Sequence, residues 1–218
     1  MPFWLNSNQN GINYADSFFH FLFRRNFNNK KSILFDYGLK VFLSENSNNF
    51  LIQEGFISLN KRDYFTLTIG RLNESLSNES RSLSSGSLAI SNNAIPIPSI
   101  SFGINNLFPT SLSKLNLILK GGLSHGWLNK GQYLQAPFLH QKNLFFKKVM
   151  DSSSLISLGI VHLAVWGGET RVHGKQSQQF SDYLKIFFLR PGSDKDIEQE
   201  QINTLGNHLG IWDLSYEK

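Results

Sequence analysis

There is no cysteine in these 218 residues. A disulfide framework, a zinc–thiolate site and a thiol nucleophile are therefore excluded. The redox compartment stays open, since a disulfide-free exported protein is ordinary. Charge is also scarce, at 17% of residues, and 21 basic against 16 acidic side chains leave a net +5. The basic residues are scattered, with pairs at Arg24-Arg25, Lys30-Lys31 and Lys147-Lys148. A nucleic-acid partner calls for a clustered basic stripe, so no nucleic acid is expected. No run of about 18 apolar residues occurs, which excludes a transmembrane helix. Met1-Pro2-Phe3-Trp4 lacks the basic and apolar regions of a signal peptide. Because the rest of the chain reads as an exported protein, the expectation is that its leader was lost or truncated.

Against these absences stand nineteen Phe in a background rich in Ser, Asn and Gly. That mixture suits a β-barrel that is apolar outside and polar inside. The length fits a single domain over 1–218.

Periodicity points the same way. Ile33, Phe35, Tyr37, Leu39, Val41 and Leu43 alternate with Leu34, Asp36, Gly38, Lys40 and Phe42, a period of two long enough to cross a bilayer as a tilted strand. Phe65, Leu67 and Ile69 repeat it against Thr66, Thr68 and Gly70. Val161, Leu163 and Val165 do so against His162, Ala164 and Trp166. Less regular strands are expected over 14–24, 50–60, 97–104, 114–125, 138–149, 180–190 and 208–216. Alternation alone also fits a soluble β-sandwich with a dry core.

Connection lengths separate the two. Short connections at 26–30, 61–63, 105–110 and 151–153 alternate with longer ones at 44–49, 73–85, 126–137 and 167–179, the asymmetry of an outer-membrane barrel. The stretch 191–205 breaks the parity, and a short periplasmic helix over 196–205, stopped by Gly206, repairs it. Two prolines within Ile95–Pro98 cannot sit in a central strand, so this piece folds into the lumen or begins an edge.

Chemistry-bearing residues are dispersed. His20, His125, His140, His162, His173 and His208 form no metal-ligand spacing, so neither a metal nor a cofactor is expected. Gly168–Gly174-Lys175 has five intervening residues where a phosphate loop has four, with Gln176 in place of Ser/Thr. GxSxG is missing. Asp36, Glu54, Asp182 and Asp213 lie in expected strands and offer carboxylates for a glycosidase. The plainer reading makes them lumen partners of Lys40, Arg71 and Lys142, and no catalytic residue is assigned. Trp127, Tyr133 and Trp166 lie in or beside long connections, where aromatic faces can stack on sugar rings. A membrane-interface aromatic girdle uses the same residues. His173 and Lys175 suit an acidic polysaccharide, or are solvated loop charges.

Five segments stand in order: Gly70-Arg71, SSGSLAISNNAIPIP (84–98), HQK (His140–Lys142), VWGG (165–168) and GNHLGIWD (206–213). Together with PFWLNSNQNG at 2–11, which looks like the start of the mature region in Bacteroidetes-like members, they resemble the capsule assembly Wzi-type family over nearly the whole chain. The resemblance implies an all-β, antiparallel transmembrane β-barrel, of which this chain supplies about ten strands as an N-terminal portion. It implies an outer-membrane location and lectin-like, non-enzymatic holding of capsular or exopolysaccharide. Outer-membrane lipid and other capsule export components are the implied further partners. Arg71, His140, Lys142 and His208 then become lumen-facing wall or binding residues. A channel for sugars or other solutes is the first alternative, and a surface glycosidase the second.

Overall fold

The computed structural model describes residues 8–9, 12–13, 18–26, 33–44, 50–61, 64–73, 89–90, 94–104, 116–151, 153–194, 196 and 198–217. Nine strands form one antiparallel sheet. In chain order these are β3 (Phe18–Asn26), β4 (Ile33–Ser44), β5 (Phe50–Lys61), β6 (Phe65–Arg71), β7 (Ser99–Ile104), β8 (Leu117–Trp127), β9 (Phe138–Val149), β10 (Leu155–Trp166) and β13 (Asn207–Glu217). Two ribbons stand apart, β1–β2 (Asn8–Gln9, Ile12–Asn13) and β11–β12 (Glu169–Thr170, Gly174–Lys175). Among the described residues there are also two short helices, α1 (Phe180–Phe187) and α2 (Glu198–Ile202). The fold is all-β and antiparallel, as expected. Each strand pairs with its predecessor except β13, which returns beside β10 after the ribbon and both helices. Among the described residues the sheet is open, with β3 and β13 at its edges.

Register builds the two faces. One polar row crosses six strands through Asp36, Ser58, Thr68, Ser101, Ser124 and Gln141. Along it the Ser58 and Thr68 hydroxyls are hydrogen-bonded. On the same face Asn60 donates to Asp36 at 2.9 Å and Thr66 to Asn60 at 2.6 Å. These bonds satisfy polar groups without water. The opposite face carries Tyr37, Ile57, Ile69 and Ile100 in one row and Phe35, Leu59, Leu67 and Phe102 in the next. Most of these apolar side chains are exposed, as are Phe19, Phe21, Phe23, Phe146, Leu158 and Leu214. An apolar sheet face of this size in water would be an aggregation surface.

Gly159 shows how tightly the polar face is built. A Cβ there would lie 2.2 Å from two ring atoms of Phe145, its cross-strand partner, so only glycine admits that ring.

Three sequence expectations change. Phe180–Arg190 is not a strand: its first eight residues are α1, whose apolar residues 180, 183, 184 and 187 follow helical spacing. The sheet therefore has nine strands rather than ten. The helix expected over 196–205 exists as the shorter α2, yet it belongs to the end where the long connections gather. With 180–190 removed from the strands, 167–206 is a single long connection, and it shares an end with the other longest one, 72–98; strict alternation of short and long fails elsewhere, since 105–116 outruns 128–137 and 45–49 is no longer than 150–154. One end then carries 27–32, 62–64, 105–116 and 150–154; the other carries 45–49, 72–98, 128–137 and 167–206. What was expected of 2–7, 10–11, 14–17, 27–30, 45–49, 62–63, 74–88, 91–93, 105–110 and 114–115 lies outside the described residues.

Candidate functional site

The long-connection end is where polar and aromatic groups converge. The Pro-containing stretch 95–98 lies over the polar face without regular secondary structure, and Ile90 and Ile97 pack on the buried cluster Leu139, Phe145, Val161 and Leu163. The Trp127 amide donates to Pro98 O at 2.9 Å, which ties this stretch to the end of β8. The 128–137 loop is bound to the β11–β12 ribbon by Leu134 N to Glu169 O at 2.7 Å and Glu169 N to Gln135 O at 3.0 Å.

Two cavities flank Trp127. The first, about 280 Å³, is lined by Arg71, Ile95–Pro98, Trp127, Leu128, Asn129, Tyr133 and Pro137. It sets an indole and a phenol beside a guanidinium and an amide. Arg71 Nη1 donates to Ile52 O at 3.2 Å, using one of the five guanidinium donors. The second is a shallower groove of about 330 Å³ between the sheet and α1, lined by His125, Trp127, Phe138, Trp166, Gln178, Gln179, Phe180 and Tyr183.

Beneath α1 the apolar face changes character. The row Tyr37, Ile57, Ile69, Ile100 continues as His125, His140, Ala164 and His208. The next row continues as Leu123, Lys142, His162 and Gly210. The Leu205 carbonyl can only accept, so His208 Nε2–H donates to it at 2.6 Å. His208 Nδ1 then accepts from His162 Nε2–H at 2.8 Å. Lys142 Nζ donates to Phe187 O at the end of α1 and sits 4.8 Å from the Phe187 ring centroid. His140 is fully buried, with Tyr183 and Phe187 edge-on to its ring at 5.4 and 5.6 Å. Ile186 closes the contact in a buried cluster with Ala164, Trp166 and Leu205.

α1 is held at its start by a capping box. Gln179 N donates to Asp182 Oδ2 at 2.9 Å, and the Asp182 amide donates back to the Gln179 carbonyl at 3.0 Å. Asp182 also pairs with Lys185 at 3.3 Å. Burial raises the Tyr183 hydroxyl above its ordinary range. Burial likewise pushes the Glu200 carboxyl up, against the Gly206 N–H it accepts. At Asp196 burial also acts upward, but hydrogen bonds from Ser177 and Ser193 outweigh it and hold the carboxyl low.

The nine residues singled out from sequence fall into three groups. Arg71, Trp127 and Tyr133 share the first cavity. Trp166, only 5% exposed, lies below α1 with His140, Lys142 and His208. Those last three were expected to face the lumen with the polar residues; their register puts them on the apolar face instead. The apolar pattern of β10 changes phase beside them. Its apolar side chains point to the exposed face at Ile156, Leu158 and Ile160, then to the opposite face at Val161, Leu163 and Val165. His173 and Lys175 stand exposed on the β11–β12 ribbon, outside both cavities. Sequence reading missed α1, Phe138 and Tyr183; the phase change in β10 and the helical spacing of 180–187 are the signals that mark them.

Asp36, Glu54 and Asp182 do not form a glycosidase pair, and Asp213 lies on β13, at the opposite edge of the sheet from β4 and β5. Asp182 is committed to the α1 cap. Asp36 registers with Ser58, and Glu54 lies four residues away along β5, roughly 13 Å at strand rise. That exceeds the ~5–9.5 Å of catalytic pairs. Among the described residues, no group of three or more His, Asp or Glu is disposed to hold a metal ion.

No curated protein and no solved structure matches the chain. A family model does, that of the capsule assembly protein Wzi, over residues 6–218. Covering nearly the whole chain, that match shows that this protein belongs to the Wzi capsule assembly family.

Proposed function

We propose that this protein is part of an outer-membrane β-barrel that takes part in capsule assembly by holding polysaccharide non-covalently at its long-connection end. The exposed apolar face supports the membrane part of this reading, since lipid is the solvent in which such a face is stable. The long connections then lie on the outer side, where a surface polymer is met.

One observation carries the binding part: Arg71, Trp127 and Tyr133, drawn from different segments, meet in one cavity. Trp127 and Tyr133 offer flat apolar faces to a pyranose ring, while Asn129 and Arg71 offer donors to hydroxyls or a uronate. Its volume is at the small end of ligand sites, which suits one sugar unit of a chain. His173 and Lys175 would meet the same polymer further out, on the ribbon. The stretch 95–98, packed against the polar face, favours holding over conduction. Chemistry on the glycan is not part of the proposal, and other capsule export components are the expected neighbours.

The test is calorimetric titration of the detergent-solubilised whole chain with purified capsular polysaccharide, comparing wild type with Trp127→Ala and Tyr133→Ala. Affinity about tenfold weaker in each variant supports the cavity. Unchanged affinity in both removes it as the site. Steady single-channel current through the wild type turns the reading toward a solute channel.

A further inference from the structure

The four histidines and the lysine below α1 pose a problem that α1 solves. A Lys on a lipid-facing strand surface is destabilising, and buried imidazoles add unpaired polar atoms. Both ring nitrogens of His140 and Nδ1 of His162 find no hydrogen-bond partner among the described residues. Docked on this patch, α1 covers it with Tyr183, Ile186 and Phe187.

The outward side of α1 is what matters. A helix that packs by one face normally shows polar residues on the other. Here Phe180, Leu184 and Phe188, four apart and so in one stripe, are 76%, 42% and 61% exposed. Leu189 extends the stripe. Close by on the same sheet face, Trp212 and Leu214 of β13 are exposed as well. The polar patch is thus covered by an element whose own outer side restores the apolar surface. Lys185 and Arg190 stand beside the stripe, with the Arg190 guanidinium 5.9 Å from the Phe188 ring centroid. Long cationic side chains at such a position reach lipid phosphates while their stems stay in the apolar layer.

We infer that α1 is an in-plane membrane helix, seated on the outside of the sheet at the headgroup boundary and bound to phosphate-bearing lipid through the Phe180–Leu184–Phe188 stripe and its flanking cations. This rests on the reading that the sheet spans a membrane. It adds a lipid-binding surface that barrel strands alone do not supply.

Because the chain has no cysteine, single labels report cleanly. Leu184→Cys, Leu158→Cys on the apolar face of β10, and Val172→Cys on the exposed ribbon are each labelled with an environment-sensitive fluorophore. Each whole chain is folded into phosphatidylcholine–phosphatidylglycerol vesicles, with or without bromine on the acyl chains. Heat-modified gel mobility checks folding. An interfacial helix lies ~5–10 Å into the boundary. The expected result is about twofold quenching at 184, stronger quenching at 158 and none at 172. Quenching at 158 with 184 behaving like 172 overturns the in-plane helix and leaves the membrane reading standing. No quenching at 158 removes both. Dimer cross-linking through 184 without lipid quenching assigns the stripe to a second copy and overturns the proposal.

Discussion

Ile186→Ala tests whether α1 is anchored as a unit. Ile186 is fully buried against Ala164, Trp166 and Leu205. Its Cδ1 also approaches Gly206 so closely that a Cβ there would be 3.0 Å away. Truncation removes three carbons, or about 2.4 kcal/mol at ~0.8 kcal/mol per buried carbon. The walls are a strand, a tryptophan and a tight backbone at Gly206 with φ +85°, so collapse is limited and a cavity term adds to this. The total should be about 3–4 kcal/mol, within the ~2–5 expected for such truncations. This loss falls on local opening of α1 rather than on the whole sheet, because the β9–β10–β13 ladder is hydrogen-bonded without the helix. At ~1.4 kcal/mol per tenfold, amide exchange across Phe180–Phe187 should accelerate by more than about a hundredfold. Hydrogen exchange with mass spectrometry on the whole chain in lipid vesicles measures it. Ile186→Val, costing ~0.5–1.5 kcal/mol, should give a roughly two- to tenfold rise. A rise below about tenfold in Ile186→Ala, or one equally large in β4 and β5, would refute the claim that this side chain anchors the helix.

Three further outcomes are expected. Asp151 accepts from Ser154 Oγ at 2.5 Å, and from Ser153 N and Oγ at 2.8 and 3.0 Å, which hold its carboxyl at about 2. A lowered folded value means the turn gains from the ionised form above the unfolded value near 4 and loses that gain as pH falls toward 2. The Ser153 amide should therefore lose protection over that window, and Asp151→Asn should abolish the pH dependence. Gly159→Ala should destabilise by ~1–3 kcal/mol in urea unfolding by crowding Phe145; in a Phe145→Leu background, where the ring is gone, the penalty should shrink markedly. Arg71→Gln should weaken an acidic glycan more than a neutral one, and the difference should fade at high salt; equal weakening of both would mean that Arg71 only supports the wall through Ile52 O.

Much of the sheet was legible because strand alternation is a local property. Ile33 to Leu43 declares β4 without reference to any other segment, and the same holds for Phe65 to Ile69. Which connections share an end was legible for the same reason, since antiparallel neighbours must alternate ends. Phe180–Arg190 was not legible as a helix. The apolar run Ile186–Leu189 imitates a strand, and the capping residue Gln179 is not one of the usual Ser, Thr, Asp or Asn.

Composition and periodicity by themselves determined an all-β chain with one apolar and one polar face, and the order of the family segments determined its kinship. Only the tertiary structure decided which face each functional group joins. His140, Lys142 and His208 look like polar-face residues in isolation. Register puts them on the apolar face, where α1, distant in sequence from β9, covers them. Arg71, Trp127 and Tyr133 meet for a similar reason: strand register, which one segment cannot specify, brings the ends of β6 and β8 and the 128–137 loop to the same end of the sheet.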